Sequence, residues 1–109
     1  MRRCILYVLK LETPNHFYVG TTIRALEARL KEHREGWGSI WSTRHGFHSV
    51  VESYEVPLCS ASTLENEKVI EYMDRFGWQG IRGGDYTYSR KDDSVWWLPK
   101  KFRPVTSSC

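Results

Sequence analysis

A chain of 109 residues, 40% hydrophobic and 27% charged, has enough apolar material to close one core without disulfide staples and too much for a disordered polymer. Its net charge of +3 permits a polyanionic partner without demanding one. The apolar runs are far shorter than a signal or membrane segment requires, and Cys4, Cys59 and Cys109 are an odd set without close pairing, so a cytoplasmic location with no membrane partner is expected.

The apolar run Ile5 to Leu11 predicts a buried strand ending at the turn Thr13-Pro14-Asn15, and His16 to Gly20 returns as a second strand over a hairpin-length connection. Thr21 or Thr22 can cap a helix to about Glu35, with Ile23, Leu26 and Leu30 at helical spacing and Gly36 as the stop. Gly36 to His48 reads as a loop or short helical turn, crowded with Gly, Trp, Ser, Arg and His, as a ligand-facing surface is.

Ser49 to Val56 alternates and carries valines, which predicts a third strand closed by Pro57. A second long helix follows. Ser62-x-x-Glu65 is its expected capping box, Asn66, Val69, Ile70, Met73 and Phe76 its buried stripe, and Gly77 its end. From Trp78 onward the chain is Gly-rich, aromatic and irregular, with a basic aromatic tail from about residue 87. That tail holds five positive residues against two negative ones, a surplus equal to the whole net charge. No repeat or linker divides the chain, so residues 1–109 are expected to form one α+β domain: a small three-stranded antiparallel sheet flanked by helices.

Tyr7 and Tyr18 fall on neighbouring predicted strands, where a short hairpin sets them side by side, although paired aromatics are also ordinary sheet packing. Arg29 and His33 are four apart on the first helix and share a face. The pair suits a phosphate site, because guanidinium presents a planar fork to phosphate oxygens and imidazole relays protons near neutral pH; an exposed polar face is the plainer account. On the second helix Glu67 lies between Leu64 and Ile70 at spacings of three, which predicts a carboxylate off the solvent side, satisfied by a divalent cation or by an ion pair with a residue such as Arg29. Trp37, Trp41, Trp96 and Trp97, with Arg44, Lys100, Lys101 and Arg103, can stack bases and hold a nucleic-acid backbone; a tail packed over the core is the equal alternative. No Cys-x-x-Cys or His-x-x-x-His pair is present, which argues against structural zinc.

In order and spacing these residues resemble the GIY-YIG nuclease family across nearly the whole chain. Ile5-Leu6-Tyr7 stands where the family has Gly-Ile-Tyr, Tyr18-Val19-Gly20 stands for Tyr-Ile-Gly, and Arg29 and His33 match the first-helix arginine and its histidine or tyrosine partner. Glu67, opening Glu67-Lys-Val-Ile-Glu-Tyr-Met, looks like the helix glutamate that holds the metal, and Gly36-Trp-Gly-Ser-Ile-Trp-Ser resembles the loop after the arginine helix. Two departures stand out: Ile5 replaces the first glycine, and the later asparagine of several members has only Asp85 in Ile81-Arg-Gly-Gly-Asp-Tyr to answer it, so that role stays unassigned.

The resemblance implies a metal-dependent endonuclease acting on DNA, single-stranded or structured, with RNA as an alternative substrate. Tyr7 would be the general base, Tyr18 and His33 would orient the water or share its proton, and Arg29 would grip the scissile phosphate. Mg²⁺ or Mn²⁺ on Glu67 would meet the non-bridging and leaving oxygens. Glu71, one turn beyond, reads as part of a solvated face before it reads as a second ligand. A catalytically silent nucleic-acid-binding module of the same fold is the rival reading, and the expectation for target choice is weak specificity, a single-strand or structural preference, or dependence on a homodimer or a separate specificity partner.

Overall fold

The computed structural model describes residues 2–90 and 94–103. Cys109, and Lys91, Asp92 and Asp93 among the charged residues of the tail, lie outside the described residues. The chain runs β1 (Arg3–Leu11), β2 (Phe17–Thr22), α1 (Leu26–Arg34), α2 (Ile40–His45), β3 (Phe47–Pro57), α3 (Ala61–Phe76) and β4 (Ile81–Gly83), with short 3-10 turns at Leu58–Ser60, Trp78–Gly80 and Lys100–Phe102.

The sheet has four strands in the order β3-β1-β2-β4. β1 pairs antiparallel with both β2 and β3, as expected for three strands. The expectation of a purely antiparallel three-stranded sheet is corrected by β4, which adds at the β2 edge and runs parallel to it through Phe17↔Ile81, Tyr18↔Arg82 and Val19↔Gly83. Ile81 to Gly83 is too short and too glycine-rich to show strand periodicity, and β4 reaches the edge of β2 only because α3 carries the chain back across the sheet, so nothing local announces it.

Because β1 is central, both of its faces are covered, which is why its sequence is a near-continuous apolar run. Cys4, Leu6 and Val8 face the main core with Val19, Val69, Tyr72 and Met73, so α3 lies over that face. Tyr7, Leu9 and Leu11 face the other way, into a smaller core with Leu30 and Trp41 of α1 and α2. The catalytic candidates on β1 and α1 are therefore held between the sheet and the α1–α2 elbow.

Several local expectations shift. α1 begins at Leu26 behind Ala25, which offers no side-chain cap, and Thr22 instead accepts from the Arg24 backbone N–H at 3.1 Å. Ile23 falls outside the helix and is exposed. α3 begins at Ala61, one residue before Ser62, and its N-cap position Ser60 makes no side-chain capping bond, so the expected box does not form. That leaves the Glu65 carboxylate available for other contacts. Within the Gly36 to His48 stretch, Ser39 caps α2 by accepting from the Ser42 N–H.

The C-terminal segment closes over the sheet around Arg82. This buried arginine lies between the rings of Trp41 and Trp97, 4.2 and 4.1 Å from their centroids. It donates to the carbonyls of Tyr88 (2.6 Å), Ile81 (2.8 Å) and Trp78 (2.9 Å). Burial, with Arg44 adding to it, draws its pKa down to about 10, which leaves the guanidinium charged at neutral pH. Among the described residues no helix is long and apolar enough to cross a membrane.

Candidate functional site

Tyr7 is fully buried, and its hydroxyl is the hub of the site. His33 Nε2 lies 2.9 Å from it, and Arg29 Nε donates to it at 3.2 Å. His33 points inward from α1 at 2% exposure, so the Arg29/His33 pair is no solvated helix face. The other imidazole nitrogen, Nδ1, lies 2.8 Å from Ser42 Oγ, which accepts in turn from Ser39 Oγ at 2.8 Å. A hydrogen-bonded relay thus runs Tyr7, His33, Ser42, Ser39, from the sheet to the cap of α2, and either imidazole tautomer satisfies it.

Arg29 is fixed from three sides. Besides Tyr7 it donates to Glu32 Oε1 at 2.9 Å and to the Gly38 carbonyl at 2.9 Å. Glu32 also accepts from Arg24 at 2.5 Å; that bond first, then the one from Arg29, holds its carboxylate below the usual range. Burial works against the Arg29 charge, yet the bonds to Glu32 and Tyr7 outweigh it and raise its pKa.

Two glycines make this close approach possible. Gly20 faces Tyr7 across the β1/β2 ladder, and a Cβ there would lie 2.6 Å from the Tyr7 hydroxyl. A Cβ on Gly38 would lie 2.1 Å from His33 Nδ1. Both contacts are far inside van der Waals distance, so only glycine lets the hairpin and the elbow close on the tyrosine and the histidine.

The electrostatics follow from burial. Desolvation, then Tyr18, raises the Tyr7 pKa against the pull of Arg29, and Tyr18 is likewise raised by burial against Arg29. His33 is pushed down to about 4, by burial first and Arg29 second, so at neutral pH the imidazole is uncharged. The resting pair is a phenol beside a neutral imidazole, and the one fixed charge among the three is Arg29.

Besides Glu32, which is paired to Arg29, the carboxylate whose field reaches the two tyrosines is Glu65 of α3. Its field raises both Tyr7 and Tyr18, and its own pKa is pushed up to about 7, by burial first and then by Asp85. Asp85 is held by its predecessor's neighbour in space, Asn66, which donates to Asp85 Oδ2 at 2.9 Å and accepts from the Asp85 N–H at 2.9 Å. Glu67 goes elsewhere. The expectation that it avoids solvent is corrected: it is exposed, and it lines a hollow of about 350 Å³ with Leu6, Tyr54, Val56, Leu64, Lys68 and Glu71. Glu71 sits in the same hollow and meets Lys68 at 3.4 Å. The physical reason is helical phase. Glu65 shares the stripe of Ala61, Val69, Tyr72 and Met73 that meets the sheet, and Glu67 lies two residues, about 200°, around from it.

Among the described residues no group of three or more His, Cys, Asp and Glu is arranged to hold a metal ion. Glu65 and Asp85 offer hard carboxylate oxygens of the kind Mg²⁺ and Mn²⁺ take, and a cation there would offset the burial, and after it the field of Asp85, that raises Glu65.

The expected nucleic-acid residues divide. Trp41 is corrected to a core residue: it is 6% exposed, packs on His16 and Arg82, and donates from its indole to the Gly80 carbonyl at 3.2 Å. Trp97 is buried over the main core, whereas Trp96 and Trp37 are exposed. Arg44 is exposed and donates to the Ser89 carbonyl. Lys101 pairs with Asp74 at 2.7 Å and Arg103 donates to the Leu98 carbonyl at 2.7 Å; Lys100 is exposed. Asp74 lies nine residues beyond Glu65, about 13 Å along the helix axis, so Lys101 sits toward the far end of α3.

Ser39, Ser42, Glu32 and Glu65 are site residues that motif and spacing do not announce, and Asp85 is the residue left without a role above. Of the four, Glu65 carries a readable signal, its four-residue spacing from Ala61 and Val69. The fold and site together define a small α+β domain with a buried Tyr-His-Ser relay beside a clamped arginine. Set against protein-family models, curated proteins and solved structures, the chain matches none of them.

Proposed function

We propose that this chain is a metal-dependent endonuclease that hydrolyses phosphodiester bonds in DNA, in the manner of the GIY-YIG nucleases its motifs resemble. The observation that carries the reading is the Tyr7 hydroxyl, buried and shared between His33 Nε2 at 2.9 Å and Arg29 Nε at 3.2 Å. A structural tyrosine needs one partner, whereas this one joins a proton acceptor to a cation suited to phosphate.

In this mechanism Arg29 binds the non-bridging oxygens of the scissile phosphate. A water attacks phosphorus and gives a proton to the Tyr7 oxygen while the Tyr7 proton passes to His33 Nε2. The phenol gains one proton and loses another, so it never becomes the phenolate that burial disfavours. His33 accepts because it is neutral at rest, and Ser42 Oγ then takes the hydrogen bond from Nδ1–H of the imidazolium. The bond from phosphorus to the 3′ oxygen breaks, and that oxygen leaves as the alcohol after protonation by solvent. Glu65, with Asp85 beside it, is the residue that would hold Mg²⁺ or Mn²⁺, whose charge would stabilise the leaving oxygen.

Purified protein with Mg²⁺ or Mn²⁺ is expected to cut a labelled polynucleotide, presented as duplex DNA, single-stranded DNA and RNA in separate reactions, and to stop on addition of EDTA. Tyr7→Phe and Arg29→Ala are expected to lower the rate on the order of a hundredfold or more. Inertness toward all three substrates overturns the reading, as does cleavage that survives both substitutions.

A further inference from the structure

Trp37 is 80% exposed, the most of any large hydrophobic side chain among the described residues, and Ile40 beside it is 70% exposed. The two flank a hollow of about 530 Å³ on the α1–α2 elbow, lined also by Gly36, Ser39, Thr43 and Arg44. Of these residues Arg44 alone is charged, and none is acidic. That volume falls within the usual range of small-ligand clefts, roughly 300–1,000 Å³.

The backbone that carries Trp37 is held in place. Its N–H donates to the Glu32 carbonyl at 2.8 Å, the Gly36 carbonyl accepts from Thr43 Oγ1 at 3.0 Å, and the next residue, Gly38, accepts from Arg29 at 2.9 Å. An indole held out in water on a fixed backbone is a preformed stacking platform. The Gly38 carbonyl couples it directly to the arginine of the proposed phosphate site.

We infer that Trp37 stacks an unpaired nucleobase next to the phosphate held by Arg29, with Arg44 on the flanking backbone, so that the substrate class is single-stranded or locally unpaired polynucleotide. Charge favours this occupant, since Arg44 lines the hollow, no carboxylate does, and Arg29, paired with Glu32, reaches the elbow through the Gly38 carbonyl. A paired base is already stacked on both faces and cannot meet the indole, which is what selects the unpaired form. The inference rests on the nuclease reading only for the phosphate at Arg29, and base stacking can be measured without cleavage.

The test measures binding of the full chain to a fluorescent 20-nucleotide DNA strand, the same strand as RNA, and its blunt duplex, by anisotropy in Ca²⁺. Cleavage of the same three substrates in Mg²⁺ runs alongside. Trp37→Ala is expected to weaken single-strand binding about tenfold or more and to change duplex binding less than about twofold, with Trp37→Phe restoring most of the loss. Because Trp37 is exposed, the variants should melt with the wild type, and sedimentation should show the same mass. Single-strand binding that Trp37→Ala leaves unchanged overturns the inference, as does a wild-type dimer that the substitution splits, which would make the hollow an interface between copies. If cleavage fails on every substrate while the single-strand effect appears, the stacking site stands and the nuclease reading falls. If the chain cleaves but Trp37→Ala alters nothing, the reverse holds.

Discussion

Gly20 lies directly opposite Tyr7 in the β1/β2 ladder, and a Cβ on it would come within 2.6 Å of the tyrosine hydroxyl. The ring of Tyr7 therefore crosses the neighbouring strand at its one side-chain-free position. Gly20→Ala must displace the hydroxyl from His33 and Arg29. We expect it to cost about 1–3 kcal/mol of stability and to cut cleavage on the order of a hundredfold. Urea melts and single-turnover rates of the variant check both effects; an active Gly20→Ala would show that the Tyr7 geometry is not used.

Glu65 and Glu67 make opposite predictions. Glu65→Gln is expected to abolish metal-dependent cleavage and to weaken Mn²⁺ binding in titration calorimetry, because it removes the carboxylate proposed to hold the metal, whose field reaches Asp85 and the two tyrosines. Glu67→Gln is expected to retain activity within about twofold, since its side chain lies in the hollow with Tyr54 and Lys68. The reverse result would return the metal to Glu67.

The pH dependence of stability contains two opposed contributions. His33 falls to about 4 from an ordinary 6.5, so between these values the unfolded chain binds the extra proton, and stability is full above about 6.5 and lost toward 4. Glu65 rises to about 7 from 4.5, so its contribution is full below about 4.5 and lost as pH rises through 7. In metal-free protein the slopes oppose each other in the overlap. Glu65→Gln is therefore expected to uncover a fall in stability on the order of 3 kcal/mol between pH 6.5 and 4, measured by urea titration in EDTA. A flat profile in that variant would contradict a neutral buried His33.

Arg82 is a stability residue whose removal should leave the chemistry in place. Arg82→Met keeps volume between Trp41 and Trp97 but strips the donor from four carbonyls, those of Trp78, Gln79, Ile81 and Tyr88. The expected loss is on the order of 3 kcal/mol, or roughly 10 °C or more in Tm by calorimetry. At temperatures below the new transition, cleavage should stay near the wild-type rate.

Much of the fold is legible locally. The apolar run at β1, the hairpin signal Thr13-Pro14-Asn15, the valines of β3 and the periodicity of α3 each reflect a face turned toward the core, and the strands and helices appear close to where these patterns place them. β4 was not legible, because three residues ending in glycine carry no period and pair only where α3 returns the chain. Trp41 misled for a related reason: a tryptophan in a polar loop reads as a surface residue, and its burial depends on Arg82, which is 41 positions away in sequence.

Residue type and spacing by themselves determined that Tyr7, Tyr18, Arg29 and His33 could converge, since a hairpin register and one helical turn are short-range geometry. Only the tertiary structure decided how they meet: which tyrosine bonds the histidine, that Ser42 and Gly38 complete the relay and the clamp, that Glu32 pairs with Arg29, and that Glu65 is the α3 carboxylate whose field reaches the tyrosines. Those outcomes depend on the phase of α3 against the sheet and on the approach of the elbow to β1. Both are set by packing between elements far apart in the chain, which no local spacing encodes.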